Sequence, residues 1–223
     1  MFKKIFFVTA LAVFAAGAVQ AEVKLGPRMG FTFTNAYGSG IDTRLRMGIQ
    51  IGVVADFALN DVFSIQPGVV YSQQGVKLKL QNIDPEDEWD VEYTDRIRLN
   101  YVQIPVYAQF TVSKFYIQAG PYLGIATSGN SKLAEGNTFG SGFLSAFGQA
   151  DEEKIKFGNE RGQINRFELG LGFGAGFAFK VVQLGVNYNL GLTNLRYTER
   201  LNGKTIEMRN KGVSITVTLL FGK

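Results

Sequence analysis

The sequence predicts an all-β fold, an eight-stranded antiparallel up-and-down transmembrane β-barrel with short periplasmic turns and long extracellular loops. Three observations lead to this prediction: eight segments alternate between apolar and polar residues, their number is even, and the connections between them alternate between short and long. Successive side chains of a strand point to opposite faces, so each segment has one apolar face. An even number of strands allows such a sheet to close on itself.

The clearest segment is residues 167–179, with the sequence FELGLGFGAGFAF. One face carries large apolar side chains and Ala175, whereas the other carries Glu168 and the four glycines Gly170, Gly172, Gly174 and Gly176. Glycine weakens a strand that faces solvent, but it leaves room in a narrow barrel interior. We therefore expect neighbouring side chains such as Gln118, Tyr122, Asn187 and Asn189 to fill the space beside these glycines.

The other segments show the same alternation, with one irregularity. Ile97, Leu99 and Tyr101 fall on the polar parity of the fourth segment, where we expect a β-bulge that restores the phase. The seven segments are 24–34, 45–58, 63–80, 96–111, 115–126, 182–192 and 213–221. Short links at 59–61, 112–114 and 180–181 alternate with long connections at 35–44, 81–95, 127–165 and 193–212.

The composition of the polar faces indicates which side meets lipid. A soluble exterior carries roughly 25–35% charged residues, but these faces consist mainly of Gly, Gln, Asn, Ser, Thr and Tyr. The sequence therefore favours an apolar face turned outward into lipid. The alternative is a soluble, lipocalin-like barrel with the apolar face inside.

Residues 1–21 have the features of a secretory signal peptide, so we expect the barrel domain to comprise residues 22–223. Lys3 and Lys4 precede an apolar run that ends in small residues, Val19 and Ala21, at the positions typical of a cleavage site. The chain has 23 basic and 19 acidic residues, and without Lys3 and Lys4 the net charge is +2, which does not indicate nucleic-acid binding. It contains no cysteine, which excludes disulfide bonds and a lipoprotein anchor.

Several strand segments resemble the PorT-like family of outer-membrane β-barrels. The stretches that carry the resemblance are FSIQPGVVYSQQG (63–75), LNYVQIPVYAQF (99–110), FYIQAGPYLGI (115–125), FELGLGFGAGFAF (167–179) and NYNLGLTN (187–194). The resemblance implies an eight-stranded barrel in the outer membrane of a Gram-negative bacterium, inserted by the barrel-assembly machinery. It also implies a candidate role as an accessory component of a secretion or gliding apparatus, and it supplies no catalytic residues.

The absence of histidine argues against an enzyme. Ser-His-Asp catalysis and histidine-ligated metal sites both need this residue, and the chain has none. No inward-facing pair of carboxylates is evident either. We therefore predict no catalytic residue, metal or cofactor.

Two groups of charged residues are candidate sites. Lys77 and Lys79 on one strand flank an acidic loop together with Arg96 and Arg98 on the next, and counting outward from the loop centre places Lys77 opposite Arg98 and Lys79 opposite Arg96. Because like charges repel across strands, lipopolysaccharide phosphates or the loop's own carboxylates could compensate them. The second group is a predicted polar cluster in the interior: Lys24, Arg28, Arg46, Asp56, Arg166 and Glu168, with Lys24 near Asp56.

The long connection 127–165 is a candidate contact for an extracellular or envelope protein. It contains the apolar residues Phe139, Phe143, Leu144 and Phe147, which either contact a partner or fold over the barrel mouth. The sequence thus predicts an outer-membrane protein with a structural or loop-mediated binding role. A narrow passive channel is the alternative.

Overall fold

The computed structural model describes residues 22–38, 43–81, 92–135, 153–158, 163–198 and 205–222. The predicted signal peptide, residues 1–21, lies outside them. No helix among the described residues is long and apolar enough to cross a membrane. The strands are β1 (Glu22–Tyr37), β2 (Thr43–Arg44), β3 (Arg46–Ala58), β4 (Phe63–Gln81), β5 (Glu92–Val112), β6 (Phe115–Glu135), β7 (Glu153–Lys154), β8 (Phe167–Ala178), β9 (Val182–Gly191), β10 (Leu195–Thr198) and β11 (Thr205–Leu219).

Eight antiparallel strands close into a barrel, which confirms the predicted fold. The order is β1-β3-β4-β5-β6-β8-β9-β11, and β11 pairs back with β1 from Arg28↔Thr218 to Tyr37↔Arg209. The three short strands extend the wall at one end, because β2 pairs with β4, β7 with β6 and β10 with β11. We call this the long-loop end and the opposite one the short-turn end.

Local sequence explains the turns at the short-turn end, which lie at 59–62, 113–114 and 179–181. The carboxamide oxygen of Asn60 accepts hydrogen bonds from the backbone N–H groups of Val62 (3.0 Å) and Phe63 (2.8 Å). Ser113 has a φ of 58°, a left-handed conformation suited to the two-residue link between β5 and β6. These links hold consecutive strands in antiparallel register.

The outer face of the barrel is a wide apolar band. Exposed side chains include Phe31 (47%), Ile51 (54%), Ile117 (50%), Phe173 (48%) and Val186 (53%). Two ring pairs bridge neighbouring strands edge to face, Phe63 with Phe110 (5.7 Å) and Phe115 with Phe177 (6.0 Å). An apolar surface that surrounds a whole molecule is typical of contact with lipid.

The unexpected parity of the apolar residues in β5 does not come from a bulge in that strand. Ile97, Leu99 and Tyr101 point inward together with Gln103, so the inward parity of β5 is unbroken and the predicted bulge is wrong. Instead, the polarity of the inner and outer faces of β5 is reversed at about residue 101. On one side of this point the interior is polar and the exterior apolar, and on the other the interior is apolar and the exterior carries Arg98 and Asn100.

The extra residue lies in β6. Asn100 pairs with Ser128 but Tyr101 pairs with Ala126, which leaves Thr127 without a partner in the register. This β-bulge changes the inward parity of β6, since Ala126 and Gly129 are both buried. The Thr127 hydroxyl donates a hydrogen bond to the Asn100 carbonyl (3.1 Å). β6 then continues to Glu135, beyond the predicted end at 126.

The outward apolar face can be tested with single arginines. Ala119 is exposed, pairs with Phe173 and lies near the middle of the band, whereas exposed Val112 lies at its short-turn edge. We expect Ala119→Arg to lower the free energy of unfolding in lipid vesicles by about 2–4 kcal/mol, and Val112→Arg by about 0–1 kcal/mol. Urea titration of both variants measures the difference. Equal costs at the two positions would contradict an outward lipid-facing band.

Candidate functional site

The interior of the barrel contains a hydrogen-bonded chain that starts at Arg28. The guanidinium group of this buried residue donates to the Thr218 hydroxyl through Nε (2.9 Å) and to Gln66 Oε1 through Nη2. Gln66 Nε2 in turn donates to Asp56 Oδ1 (3.3 Å) and to Gln183 Oε1 (3.2 Å). The carboxamide of Gln66 therefore connects the positive charge of Arg28 with the negative charge of Asp56.

The structure divides the six residues of the predicted polar cluster. Arg28, Asp56 and Glu168 are buried inside the barrel. Lys24 pairs with Asp56 in the β1–β3 register, as predicted, but its ammonium group lies 3.3 Å from the carboxylate of Glu22. Asp56 instead accepts a hydrogen bond from the Ser64 hydroxyl (2.8 Å).

The other two arginines of the predicted cluster lie away from the centre. Arg46 is half-buried and donates through Nη1 to the Gln74 carbonyl (2.7 Å). Arg166 is exposed and does not belong to the interior cluster. It has the inward parity of Glu168, but β8 begins only at Phe167, so strand alternation does not apply to it.

Glu168 is fully buried and is held by neutral donors. Its Oε1 accepts a hydrogen bond from the Tyr122 hydroxyl (2.6 Å), and its Oε2 accepts one from Asn210 Nδ2 (2.5 Å). Asn210 lies in β11, within the predicted connection 193–212. For this reason the sequence did not reveal the second partner of Glu168.

The four glycines of β8 form a groove along the inner wall, which we call the glycine row. A Cβ atom at Gly170 would lie 2.3 Å from Tyr122 Cζ, and one at Gly172 would lie 2.5 Å from the Tyr107 hydroxyl oxygen. At Gly174 it would lie 2.2 Å from Asn187 Oδ1 and 3.0 Å from Gln118 Cγ. The predicted filling of this space by neighbouring side chains is confirmed for Gln118, Tyr122 and Asn187.

Four buried tyrosines also occupy the interior. Tyr101 and Tyr107 come from β5, and Tyr116 and Tyr122 come from β6. A cavity of about 20 Å³ lies beside them, lined by polar side chains that include Arg28, Gln50, Gln103, Asn189 and Ser214. This volume accommodates about one water molecule.

An apolar cluster closes the interior at the long-loop end, and we call it the apolar cap. Ile155 and Phe157, which follow β7, pack against it from the long third connection. The cap consists of Ala36, Val76, Ile97, Leu99, Tyr101, Ala126, Ile164, Leu195 and Met208. The candidate contact residues Phe139, Phe143, Leu144 and Phe147 lie outside the described residues, and Ile155 and Phe157 belong to a later part of the same connection.

The register of β4 and β5 corrects the predicted pairing of four basic residues. Lys77 lies opposite Arg96, Lys79 opposite Thr94, and Arg98 opposite Gly75. This register is set by the membrane-spanning part of the two strands, where Phe63 pairs with Phe110. Counting outward from the centre of the loop gives a different register. Within the described part of the chain, no group of three or more acidic, histidine or cysteine side chains could hold a metal ion.

The central role of Gln66 can be tested against a second interior glutamine. Gln66 and Gln109 are both buried, but the Gln109 carboxamide donates only one hydrogen bond that we observe, to the Thr111 hydroxyl (3.2 Å). We expect Gln66→Leu to lower the free energy of unfolding by about 2–4 kcal/mol and Gln109→Leu by at most about 1 kcal/mol, because Gln66→Leu leaves charged groups with unmet hydrogen bonds. Similar costs in urea titrations would contradict this role.

The fit between the glycine row and the tyrosines can be tested with a double-mutant cycle. We expect Gly170→Ala to cost about 1–3 kcal/mol through overpacking against Tyr122. In a Tyr122→Leu background the same change should cost clearly less, because the ring it strikes has been removed. Strictly additive costs would show that the two residues are not coupled.

Comparisons with known proteins found similar solved structures and one matching family. Solved structures that resemble the chain include Neisserial surface protein A (13% identity, covering 88% of this chain and 97% of that chain, TM-score 0.47). Others are Ail, the attachment invasion locus protein of Yersinia pestis (12%, 90% and 99%, 0.41), and OprG from Pseudomonas aeruginosa (9%, 93% and 99%, 0.42). No curated protein sequence matches the chain.

The sequence profile of one protein family covers most of the chain. Residues 14–197 match the profile described as the outer membrane protein beta-barrel domain. The profile and the closed barrel together indicate the bacterial outer membrane as the location. The chain is therefore a member of the outer membrane protein beta-barrel domain family.

Proposed function

We propose that this protein is a non-catalytic and non-conducting barrel whose structural or binding role is carried out at its long-loop end. The observation that supports this most directly is the filled interior. The tyrosines, the Arg28–Gln66–Asp56 chain and the apolar cap together occupy the interior of the barrel. Eight strands enclose just enough space for side chains to fill.

The long-loop end is the part of the molecule that has surface available for a partner. β4, β5 and β6 have 19, 21 and 21 residues, whereas about 9–11 tilted residues cross a membrane. The three strands therefore continue well beyond the apolar band as a projecting sheet. In outer-membrane barrels the longer connections face the outside of the cell, and we assign this orientation here.

Three further parts of the proposal come from the sequence. Residues 1–21 serve as a cleaved signal peptide, and residues 22–223 are inserted by the barrel-assembly machinery. Within its family the chain belongs to the PorT-like group, as its strand segments suggest, and a role in secretion or gliding depends on that resemblance alone. The segment 127–165, with Phe139, Phe143, Leu144 and Phe147, is the proposed contact for an envelope or extracellular protein.

The absence of histidine and cysteine supports a non-catalytic role. The chain has no histidine and no cysteine. The buried carboxylates Asp56 and Glu168 each accept hydrogen bonds from neutral side chains inside the filled barrel. Both carboxylates are therefore buried and held by hydrogen bonds within the barrel.

A narrow channel is the competing function, and conductance distinguishes the two. We expect the refolded protein to show no steady single-channel conductance in planar bilayers, because buried side chains occupy the interior beside a cavity of about 20 Å³. The triple variant Arg28→Ala, Tyr107→Ala, Tyr122→Ala removes side chains that line this cavity and should increase ion leakage. Stepwise conductance of the wild-type protein would contradict the proposal.

A further inference from the structure

Two basic side chains lie next to each other on the outer face of β11. Arg209 and Lys211 are separated by Asn210, which is buried inside the barrel, so both basic residues point outward. Arg209 is exposed and Lys211 is half-buried. Alternate residues of a strand are about 6.8 Å apart, so one anionic group can contact both charges. We call Arg209 and Lys211 the rim pair.

The rim pair lies directly beyond the apolar band. Val213, the next residue on the same face of β11, is exposed and pairs with Phe33 and Tyr188. Tyr188 is 41% exposed, and aromatic residues at this edge are typical of the level where a barrel leaves the bilayer. On the inside, Met208 already belongs to the apolar cap. The rim pair therefore lies at the level of the lipid headgroups.

The residues directly opposite the rim pair are uncharged. Lys211 pairs with Asn35 of β1 and with Leu190 of β9. Arg209 pairs with Tyr37 of β1. Neither basic residue forms an ion pair with any carboxylate among the described side chains. Two positive charges thus face the headgroup level, and the neighbouring strands supply no negative charge at the paired positions.

Neutral contacts hold both basic side chains at this level. The ammonium group of Lys211 lies 5.7 Å from the centroid of the Tyr37 ring, within the range of a cation–π interaction. The Tyr37 hydroxyl donates a hydrogen bond to the Gly191 carbonyl (3.1 Å), which orients the ring. Arg209 Nε donates to Asn194 Oδ1 (2.6 Å). Because a guanidinium group has five N–H donors, this bond leaves both terminal amino groups of Arg209 for a ligand.

The chemistry and position of the rim pair indicate a lipid phosphate as the ligand. Arginine binds phosphate oxygens in a bidentate manner, and lysine adds a compact positive charge. Basic residues near a membrane surface bind anionic lipids with about 1 kcal/mol for each charge. In the outer leaflet of an outer membrane, the phosphates of lipopolysaccharide lie at the headgroup level that the rim pair occupies.

We propose that the rim pair binds a phosphate group of lipopolysaccharide in the outer leaflet. This inference rests on the proposed outward orientation of the long-loop end, and it names a partner for that end. It is separate from the contact predicted for Lys77, Lys79, Arg96 and Arg98, which belong to β4 and β5. The competing explanation is compensation of the rim pair by Glu207, the nearest acidic residue along β11.

The test compares two double variants that remove the same charge. The rim variant is Arg209→Gln with Lys211→Gln, and the control variant is Lys114→Gln with Lys180→Gln, at exposed positions of the short-turn end. A third double variant, Arg209→Lys with Lys211→Arg, keeps both charges. A heat-modifiable gel shift shows that each variant is folded. Fluorescence anisotropy of labelled lipopolysaccharide in detergent micelles then gives an apparent Kd.

We expect the rim variant to bind at least about tenfold more weakly than wild type, because it loses two charges at the membrane surface. The control variant should stay within about twofold and the charge-keeping variant within about threefold of wild type. Wild type should also bind dephosphorylated lipopolysaccharide at least about tenfold more weakly, and the rim variant should lose little by this change. Unchanged binding by the rim variant, or equal wild-type binding to both lipids, would overturn the proposal.

One further variant separates the lipid from the competing carboxylate. Glu207→Gln should change the affinity less than about threefold if lipopolysaccharide is the partner of the rim pair. A gain of about tenfold or more would show that Glu207 occupies the pair, which contradicts the proposal. Membrane orientation and conductance play no part in micelles, so failure here leaves the non-conducting barrel standing, and steady conductance would leave the binding result standing.

Discussion

Closure of the sheet is the constraint on which the rest of this structure depends. Lipid offers no hydrogen-bond partners to the backbone, so a membrane-spanning sheet must satisfy its N–H and C=O groups internally. The pairing of β1 with β11 removes both free edges of the sheet at membrane level. Once eight strands are closed in this way, the diameter of the interior is fixed, and side chains must fit a space of given size.

The interior fits this space because some strands contribute large side chains and another contributes glycines. β5 and β6 contribute the large rings of Tyr101, Tyr107, Tyr116 and Tyr122, whereas β8 contributes glycines where these rings approach the wall. Charges inside the barrel then need hydrogen bonds rather than water. Gln66 supplies them to Arg28 and Asp56, while Tyr122 and Asn210 supply them to Glu168. The same side chains therefore stabilise the barrel and occupy its interior.

The strands of the barrel wall could be predicted from the sequence. Their residues alternate in polarity because the two faces of each strand have different surroundings. Segments such as 167–179 could be assigned almost to the residue, since lipid on one side and a cramped interior on the other select opposite side chains. The proximity of Lys24 and Asp56 also followed, because the two segments that carry them are consecutive in the chain and pair with each other.

Other features depend on contacts between distant parts of the chain, and the sequence did not reveal them. The strand extension that carries Asn210 was missed because polar residues above the membrane no longer alternate in the expected sense. The pairing of Lys77 with Arg96 depends on the register of the membrane-spanning part, which a count from the loop cannot supply. The role of Gln66 required knowledge of four strands at once.

The apolar side chains of β5 face outward on one side of residue 101 and inward on the other. Toward the short-turn end, β5 is built like a membrane protein, with Val102 and Ile104 outside, and beyond Tyr101 it is built like a water-soluble one, with Ile97 and Leu99 inside. The projecting part consequently has an aqueous-type core of its own, in the apolar cap. The change in hydrophobic pattern at residue 101 thus indicates the level at which the bilayer surface meets the barrel.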